Sequence, residues 1–180
     1  MDIKTKERIL RRINVGSGRK VLKGWDNLDN HKKFGANVIM NLEKPLKIKS
    51  NTYDYVLFEN TLEHMKDPLK VMEELFRITK KGGKIDVIVP YGRETWDSID
   101  HKKEYWVTTL IGLLDSGDFD STIKGKVVKI RFLTNRTNLY MKMKIALFNL
   151  LIKIHPKMID YTPFHYFHHA TSIKVVYEKI

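Results

Sequence analysis

Short apolar runs alternate with helical patterns along the chain. The runs are rich in β-branched and aromatic residues, as buried strands are, and turn residues bound them. Strands that alternate with helices are typical of a parallel sheet, so the pattern predicts an α/β fold. The predicted strands lie at 13–15, 38–40, 53–58, 85–89, 126–133 and 172–177.

The most regular helical pattern covers residues 67–80. Asp67 suits the N-cap and Pro68 the first turn, and Gly82 can take the left-handed conformation that ends a helix. A second helix is predicted over 104–114, and a helical insertion or lid over about 135–170. The apolar face of the first helix consists of Leu69, Met72, Leu75 and Phe76.

Length and composition favour one folded domain. The 180 residues suffice for one hydrophobic core and are too few for two ordinary domains, so we expect a single domain over 1–180. An apolar fraction of 42% excludes a disordered chain. The absence of cysteine excludes disulfides and thiolate sites.

Charge and hydropathy limit where the protein is expected to reside and what it is expected to bind. Charged residues stand where a signal peptide needs an apolar run, and the longest apolar block, 145–152, is far shorter than the roughly 18 residues of a membrane span. We therefore expect a cytoplasmic protein. Its net charge of +12 would attract nucleic acid, anionic lipid or an anionic small molecule, and a compositional bias would produce the same charge.

A G-x-G turn directly follows the first predicted strand. Gly16 and Gly18 flank Ser17, after Asn14 in the strand itself. Glycines in such a turn let backbone N–H groups approach a ligand closely, although a strand-exit turn without a ligand has the same sequence.

Polar residues also end the neighbouring strands. Asp29 ends the strand-like stretch 24–29, which is the second strand along the chain, and a carboxylate at that tip can accept both hydroxyls of a ribose. Asn41 and Leu42 follow the third, so an amide and an apolar side chain are available to an adenine ring. Glu59 and Asn60 follow the fourth, at the edge where open α/β sheets bind ligands.

The order of these elements resembles the Rossmann-like, class I S-adenosylmethionine-dependent methyltransferases, in particular the small type 11 group. The resemblance covers about residues 12–106, and each motif is common by itself while the ordered set is specific. The resemblance implies a doubly wound, mostly parallel seven-stranded sheet with an antiparallel last strand. The matching stretches are 14–18, 24–29, 53–57, 62–64 and 81–85.

The resemblance also implies S-adenosylmethionine as the cofactor and assigns residues to its parts. Asn14 and Ser17 belong to the same cofactor-binding set. Gly16 and Gly18 would face the methionine, Asp29 the ribose, Asn41 and Leu42 the adenine, and Glu59 and Asn60 the sulfonium.

The chain departs from the usual pattern of that group. Asn14 and Asn41 stand where acids are common, and Arg19 follows Gly18 where a third glycine is usual. Only ten residues separate Gly18 from Asp29, so the helix between the first two strands must be abbreviated.

Two histidines are candidate general bases. Methyl transfer from a sulfonium is a direct displacement, so the main task of the protein is to align the acceptor with the methyl group and to exclude water. A general base is also useful if the acceptor is a hydroxyl or a protonated amine. His64 follows the fourth strand, and His101 lies beyond the fifth, in a stretch that resembles the acceptor region of many relatives. A helix cap or a loop hydrogen bond is the alternative role for each.

The insertion carries two further candidate features. His165, His168 and His169 share a helical face, but the aromatic residues around them favour a packing role, so we predict no metal site. The mainly apolar stretch 139–159 contains Lys142 and Lys153. It is predicted either to pack over the sheet as a lid or core helix, or to form a surface that contacts a lipid-linked acceptor or a membrane.

These observations favour an enzyme that methylates a small-molecule or glycan-type acceptor. An RNA methyltransferase would use the positive charge, but no nucleic-acid module accompanies it. A cofactor-binding but inactive partner subunit of another methyltransferase is the third reading, favoured by Asn14 and Asn41. The sequence does not indicate the oligomeric state.

Overall fold

Seven strands and three α-helices make up the described part of the chain. The computed structural model describes residues 10–91, 98–114, 123–135, 138–154, 156 and 170–180. Short 3-10 helices lie at Lys32–Phe34 and Leu62–His64. The α-helices are α1 (Pro68–Ile78), α2 (Val107–Gly112) and α3 (Leu139–Ile154). The strands are β1 (Arg12–Val15), β2 (Asp26–Asp29), β3 (Val38–Ile39), β4 (Tyr53–Glu59), β5 (Thr79–Pro90), β6 (Gly125–Leu133) and β7 (Ser172–Lys179).

The strands form one sheet in the order β3-β2-β1-β4-β5-β7-β6. All pairs from β3 to β5 are parallel, whereas β7 runs antiparallel to both β5 and β6. This confirms the predicted doubly wound, mostly parallel sheet with an antiparallel last strand.

The hydrophobic core lies on the face of the sheet that α1 and α2 cover. Strand register aligns Ile13 with Val56, Ile85 and Tyr177, and all four side chains are fully buried. The Tyr177 ring lies 5.9 Å from that of Phe76 on α1, and its hydroxyl donates to a backbone carbonyl of α2 at 2.7 Å. Burial of these large apolar groups is the main favourable contribution to folding here.

Helix α1 begins as predicted and ends earlier. The Asp67 side chain caps its N-terminus, and Pro68 occupies the first turn. The helix ends at Ile78, because Thr79 is already extended and pairs with Tyr53 on β4. Gly82 has a φ of 71°, but it lies within β5, at the register shift of that strand, and not at the helix end.

Turns replace the helix that was expected in abbreviated form between β1 and β2. Asn27, a buried residue of β2, orders this connection with its side chain. Its Oδ1 accepts from the Leu22 N–H at 2.8 Å, and its Nδ2 donates to the carbonyls of Leu22 and Trp25 at 2.9 and 3.0 Å. One amide thus satisfies backbone groups that a helix would pair internally.

The β3–β4 loop (residues 40–52) also lacks a helix, and two side chains of α1 hold it. Arg77 donates to the carbonyls of Leu46 and Ile48 at 3.0 and 2.7 Å, and Glu74 accepts from the Leu46 N–H at 2.8 Å. Arg77 and Glu74 are also hydrogen-bonded to each other. This pair, the α1 clamp, fixes the segment that carries Asn41 and Leu42.

Helix α3 packs against the edge strand β6. Asn149 reaches the strand backbone, where its Oδ1 accepts from the Phe132 N–H at 2.7 Å and its Nδ2 donates to the Phe132 carbonyl at 3.0 Å. Ile145, Phe148 and Ile152 form the buried side of the helix. None of the helices in the described part of the chain has the length and apolarity that crossing a bilayer requires.

Candidate cofactor and acceptor site

The glycine turn after β1 is shaped by contact with the end of β4. Gly16 has a φ of 66°, and a Cβ there would overlap the Thr61 side chain, so glycine is required on both counts. The Thr61 hydroxyl donates to the Glu59 carbonyl at 2.9 Å. Gly18 also has a positive φ, of 47°, and a Cβ there would meet no atom within 4 Å, so only the backbone conformation favours glycine at this position.

Asp29 ties the tip of β2 to this turn. Its Oδ2 accepts from the Gly18 N–H at 2.8 Å and its Oδ1 from the His31 N–H at 3.0 Å. A carboxylate offers about four lone-pair positions, so two remain for further donors such as ribose hydroxyls. The two backbone N–H groups therefore fix the position of the carboxylate and leave part of its hydrogen-bonding capacity for a ligand.

A cavity of about 390 Å³ opens at the carboxyl ends of the strands, beside the turn. Its wall combines glycine backbone, a carboxylate, an amide and an apolar side chain, which suits the parts of an adenosyl cofactor. The cavity lies at the edge of the sheet where the cofactor site is predicted, and the binding of a cofactor there stays a prediction. The wall includes Gly16, Asp29, Asn41, Leu42, Thr61 and His64.

Other predicted cofactor residues lie beside the cavity and do not line it. Asn14 is buried, and its Nδ2 donates to the Lys20 carbonyl at 2.6 Å, so it supports the turn from beneath. Glu59 forms an ion pair with Lys20 across the mouth of the turn. Ser17 is buried, Asn60 is exposed with a φ of 46°, and their contact with the cofactor remains a prediction.

Both candidate base histidines belong to one cluster, the Glu63–His64–His101–Asp100 cluster. The two imidazole rings lie edge to face with their centroids 4.8 Å apart. His64 Nδ1 is 3.1 Å from Asp100 Oδ2, and His101 Nε2 is 4.0 Å from Glu63 Oε1. The sequence neighbour of His101, Asp100, therefore pairs with the other histidine.

Glu63 is fully buried, and within the described part of the chain neither of its carboxylate oxygens has a hydrogen-bond partner. Burial raises the pKa of Glu63, while the adjacent His64 and His101 act in the opposite direction. A buried carboxylate beside two imidazoles is a set that can move a proton or hold a cation.

Sequence reasoning missed several residues that complete the site. Thr61 gave no signal, because its contact with Gly16 depends on the meeting of two distant strand ends. Lys102 lines the cavity, and its Nζ donates to the His64 carbonyl at 2.6 Å. Glu63 was visible only as part of the Leu62–His64 motif. His165, His168 and His169 lie outside the described residues.

Comparisons with known proteins agree with this geometry. Residues 20–87 match the family described as methyltransferase domain. No curated protein matches the chain. An S-adenosylmethionine-dependent methyltransferase from Archaeoglobus fulgidus superposes with a TM-score of 0.61 at 18% identity, over 94% of this chain and 86% of the other.

Two further solved structures share the fold. An S-adenosylmethionine-dependent methyltransferase from Mesorhizobium loti has a TM-score of 0.58 at 12% identity, over 94% and 91% of the two chains. A chain from a complex that contains the Trm112 methyltransferase activator of Haloferax volcanii has a TM-score of 0.59 at 15% identity, over 94% and 82%.

The chain therefore has the fold of the class I, Rossmann-like methyltransferases, and residues 20–87 carry the match to the methyltransferase domain. The matched methyltransferase domain and the solved structures that share the fold support an enzyme that uses S-adenosylmethionine.

Proposed function

We propose that the protein transfers a methyl group from S-adenosylmethionine to an oxygen or nitrogen of a small-molecule or glycan-type acceptor. One observation carries the proposal: His64 lies in the wall of the cavity and also contacts the His101 ring. The cofactor cavity and the groups that can activate an acceptor are therefore adjacent.

The cofactor supplies a methyl group on a positively charged sulfur. The contribution of the chain is alignment and proton removal. Gly18 leaves room for the cofactor and Asp29 holds it, while the acceptor enters from the side of His64 and His101. Asp100 Oδ2, 3.1 Å from His64 Nδ1, orients that ring, and the His101 ring packs edge to face against it, so either imidazole is placed to accept the acceptor proton.

Two other functions are alternatives to the proposed one. An inactive partner subunit is one alternative, because Asn14 and Asn41 stand where acids are common and one chain of a complex with the Trm112 activator shares this fold. RNA as acceptor is favoured by the charge of +12 alone. We rank both lower because four of the predicted cofactor residues, Gly16, Asp29, Asn41 and Leu42, line a cavity whose wall also contains His64 of the histidine cluster.

We also propose that α3 rests on an anionic lipid surface, which would bring a lipid-linked acceptor to the site. Its outer face is an apolar stripe whose members are each more than half exposed. The helix contains lysines and no acidic residue. The apolar stripe consists of Leu139, Met143, Leu147, Leu150 and Ile154, which recur at helical spacing.

A positively charged groove beside the stripe supports the same partner. The groove lies between β6 and α3, encloses about 540 Å³, and is lined by Lys129, Arg131 and Lys153 among apolar residues. An apolar stripe next to cations is the pattern of helices that lie in the interface of anionic membranes.

The experiment that tests the proposed function is calorimetric titration with S-adenosylmethionine, S-adenosylhomocysteine and, as a control, NAD. Binding of the first two alone supports the site and justifies a screen of hydroxyl and amine acceptors. If both bind but no methyl transfer occurs with small-molecule, glycan or RNA acceptors, the inactive-partner function replaces the proposal. Absence of binding contradicts the assigned cofactor cavity.

A further inference from the structure

We propose that Glu63, His64 and His101 bind a divalent metal ion at the acceptor side of the cavity. One ligand atom from each residue can be chosen so that all three lie within 4.8 Å of one another. The ion expected there is Zn²⁺ or a chemically similar first-row cation, because imidazole nitrogen and carboxylate oxygen are its usual ligands.

The buried carboxylate of Glu63 is the observation that points to a cation. Its side chain is 1% exposed, and in the described ranges neither oxygen accepts a hydrogen bond. A desolvated carboxylate is unfavourable unless a charge or a donor compensates it. One ring nitrogen each of His64 and His101 lies within 4.8 Å of a Glu63 oxygen and of the other, so a cation between the three residues could contact them all.

The geometry requires only side-chain adjustment. Ligand atoms around a tetrahedral zinc ion lie about 3.3 Å apart, so the cluster must contract by roughly 1.5 Å at its widest. His64 has room to move, since its side chain is 30% exposed and faces the cavity. Asp100, 3.1 Å from His64 Nδ1, is placed as carboxylates beside metal-bound histidines are, where they fix the ring.

Three protein ligands leave a position for an outer oxygen, which is the pattern of catalytic rather than structural sites. An acceptor hydroxyl held there would lose its proton more readily, because the cation lowers its pKa. This role rests on the proposed methyl transfer and would make the histidines ligands instead of proton acceptors. The metal site itself does not depend on the reaction.

The test is calorimetric titration of tag-free, metal-stripped protein with Zn²⁺, together with the visible absorption of bound Co²⁺. We expect one ion per chain, and at least tenfold weaker binding in Glu63→Gln and in His101→Ala. Glu63→Gln keeps the shape of the side chain, and circular dichroism checks that each variant is folded. His31→Ala, which removes an exposed imidazole, is the matched control and should bind as the parent does.

A second control separates this site from the other histidines. The triple variant His165→Ala, His168→Ala, His169→Ala should retain the ion. If the triple variant loses it while Glu63→Gln and His101→Ala keep it, or if no ion binds, the proposal is wrong. S-adenosylhomocysteine titrated into the same samples reports separately on the cofactor site. Binding of the metal ion without S-adenosylhomocysteine would contradict the cofactor site, and binding of S-adenosylhomocysteine without the metal ion would contradict the metal site.

Discussion

At the scale of single residues, Asp29 is the carboxylate that we propose holds the ribose of the cofactor. It holds the glycine turn through the Gly18 N–H and keeps lone pairs for a ribose. We predict that Asp29→Ala lowers the affinity for S-adenosylhomocysteine by about 1 to 3 kcal/mol, because a charged hydrogen-bonding partner is lost. Calorimetry on folded protein measures this.

The control for Asp29→Ala is Glu178→Ala. It removes a carboxylate that also forms an ion pair, with Lys126 at 2.9 Å, but on β7, away from the cavity. Its affinity should equal that of the parent. Equal affinity in folded Asp29→Ala would contradict the placement of the cofactor.

Most of the residues that sequence reasoning found lie at or shortly after the carboxyl end of a strand. Asp29 and His64 could be placed because parallel strands end at one edge of the sheet. The pairing of Asp100 with His64 could not, since the separation of 36 residues includes a strand and a helix whose packing decides which ring meets which acid. The spacing of residues along the chain therefore predicts which edge of the sheet carries the site, but it does not predict which side chains pair with each other there.

At the scale of elements, the α1 clamp makes a pH-dependent contribution to stability. The hydrogen bonds from Arg77, with that from the Leu46 N–H, hold the pKa of Glu74 below its usual value. A lowered folded-state pKa means that the contribution is present above the unfolded-state pKa and is lost as the pH falls through the folded-state pKa. Acid should therefore release the β3–β4 loop.

We predict that Arg77→Met lowers the free energy of unfolding by about 1 to 3 kcal/mol at neutral pH, because backbone carbonyls of the loop lose their donor. Lys70→Met on the same helix, whose side chain is 80% exposed, should cost less. Urea unfolding between about pH 7 and pH 3 measures both. Glu74→Gln should flatten the acid side of the curve, and an unchanged slope there would exclude Glu74 as its source.

The elements also show why helices were harder to place than strands. Strands β1, β4 and β5 were predicted within the structure's bounds, because buried apolar runs leave few alternatives. The helix between β1 and β2 was expected to be short and is replaced by turns, since the Asn27 side chain can satisfy the same backbone groups. The presence of one asparagine in a sequence does not reveal that its side chain will take over the hydrogen bonds of a helix.

At the scale of the whole molecule, the net charge of +12 and the apolar stripe act in the same direction on a membrane. We predict that the protein co-sediments with vesicles of phosphatidylcholine and phosphatidylglycerol, and less with phosphatidylcholine alone. Salt should weaken the binding, because part of the attraction is screened. Replacing Leu147 and Leu150 by Gln should weaken it at least tenfold, because both side chains would enter the interface.

Leu10→Gln is the matched control, because it removes one apolar side chain that is 53% exposed outside the stripe. It should bind vesicles as the parent does. The lipid proposal fails if the parent stays in the supernatant with anionic vesicles. It also fails if the stripe instead joins two copies, which analytical ultracentrifugation would show as a dimer that the Leu147 and Leu150 replacements dissociate.

The edge of the sheet at β6 has one more consequence for the molecule. A strand at an edge offers its backbone groups to any extended chain, and such strands nucleate aggregates. At Phe132 both groups are already engaged by the Asn149 amide. An incoming strand would have to displace that amide, so this side chain protects the enzyme against edge-to-edge association even when many copies gather on one surface.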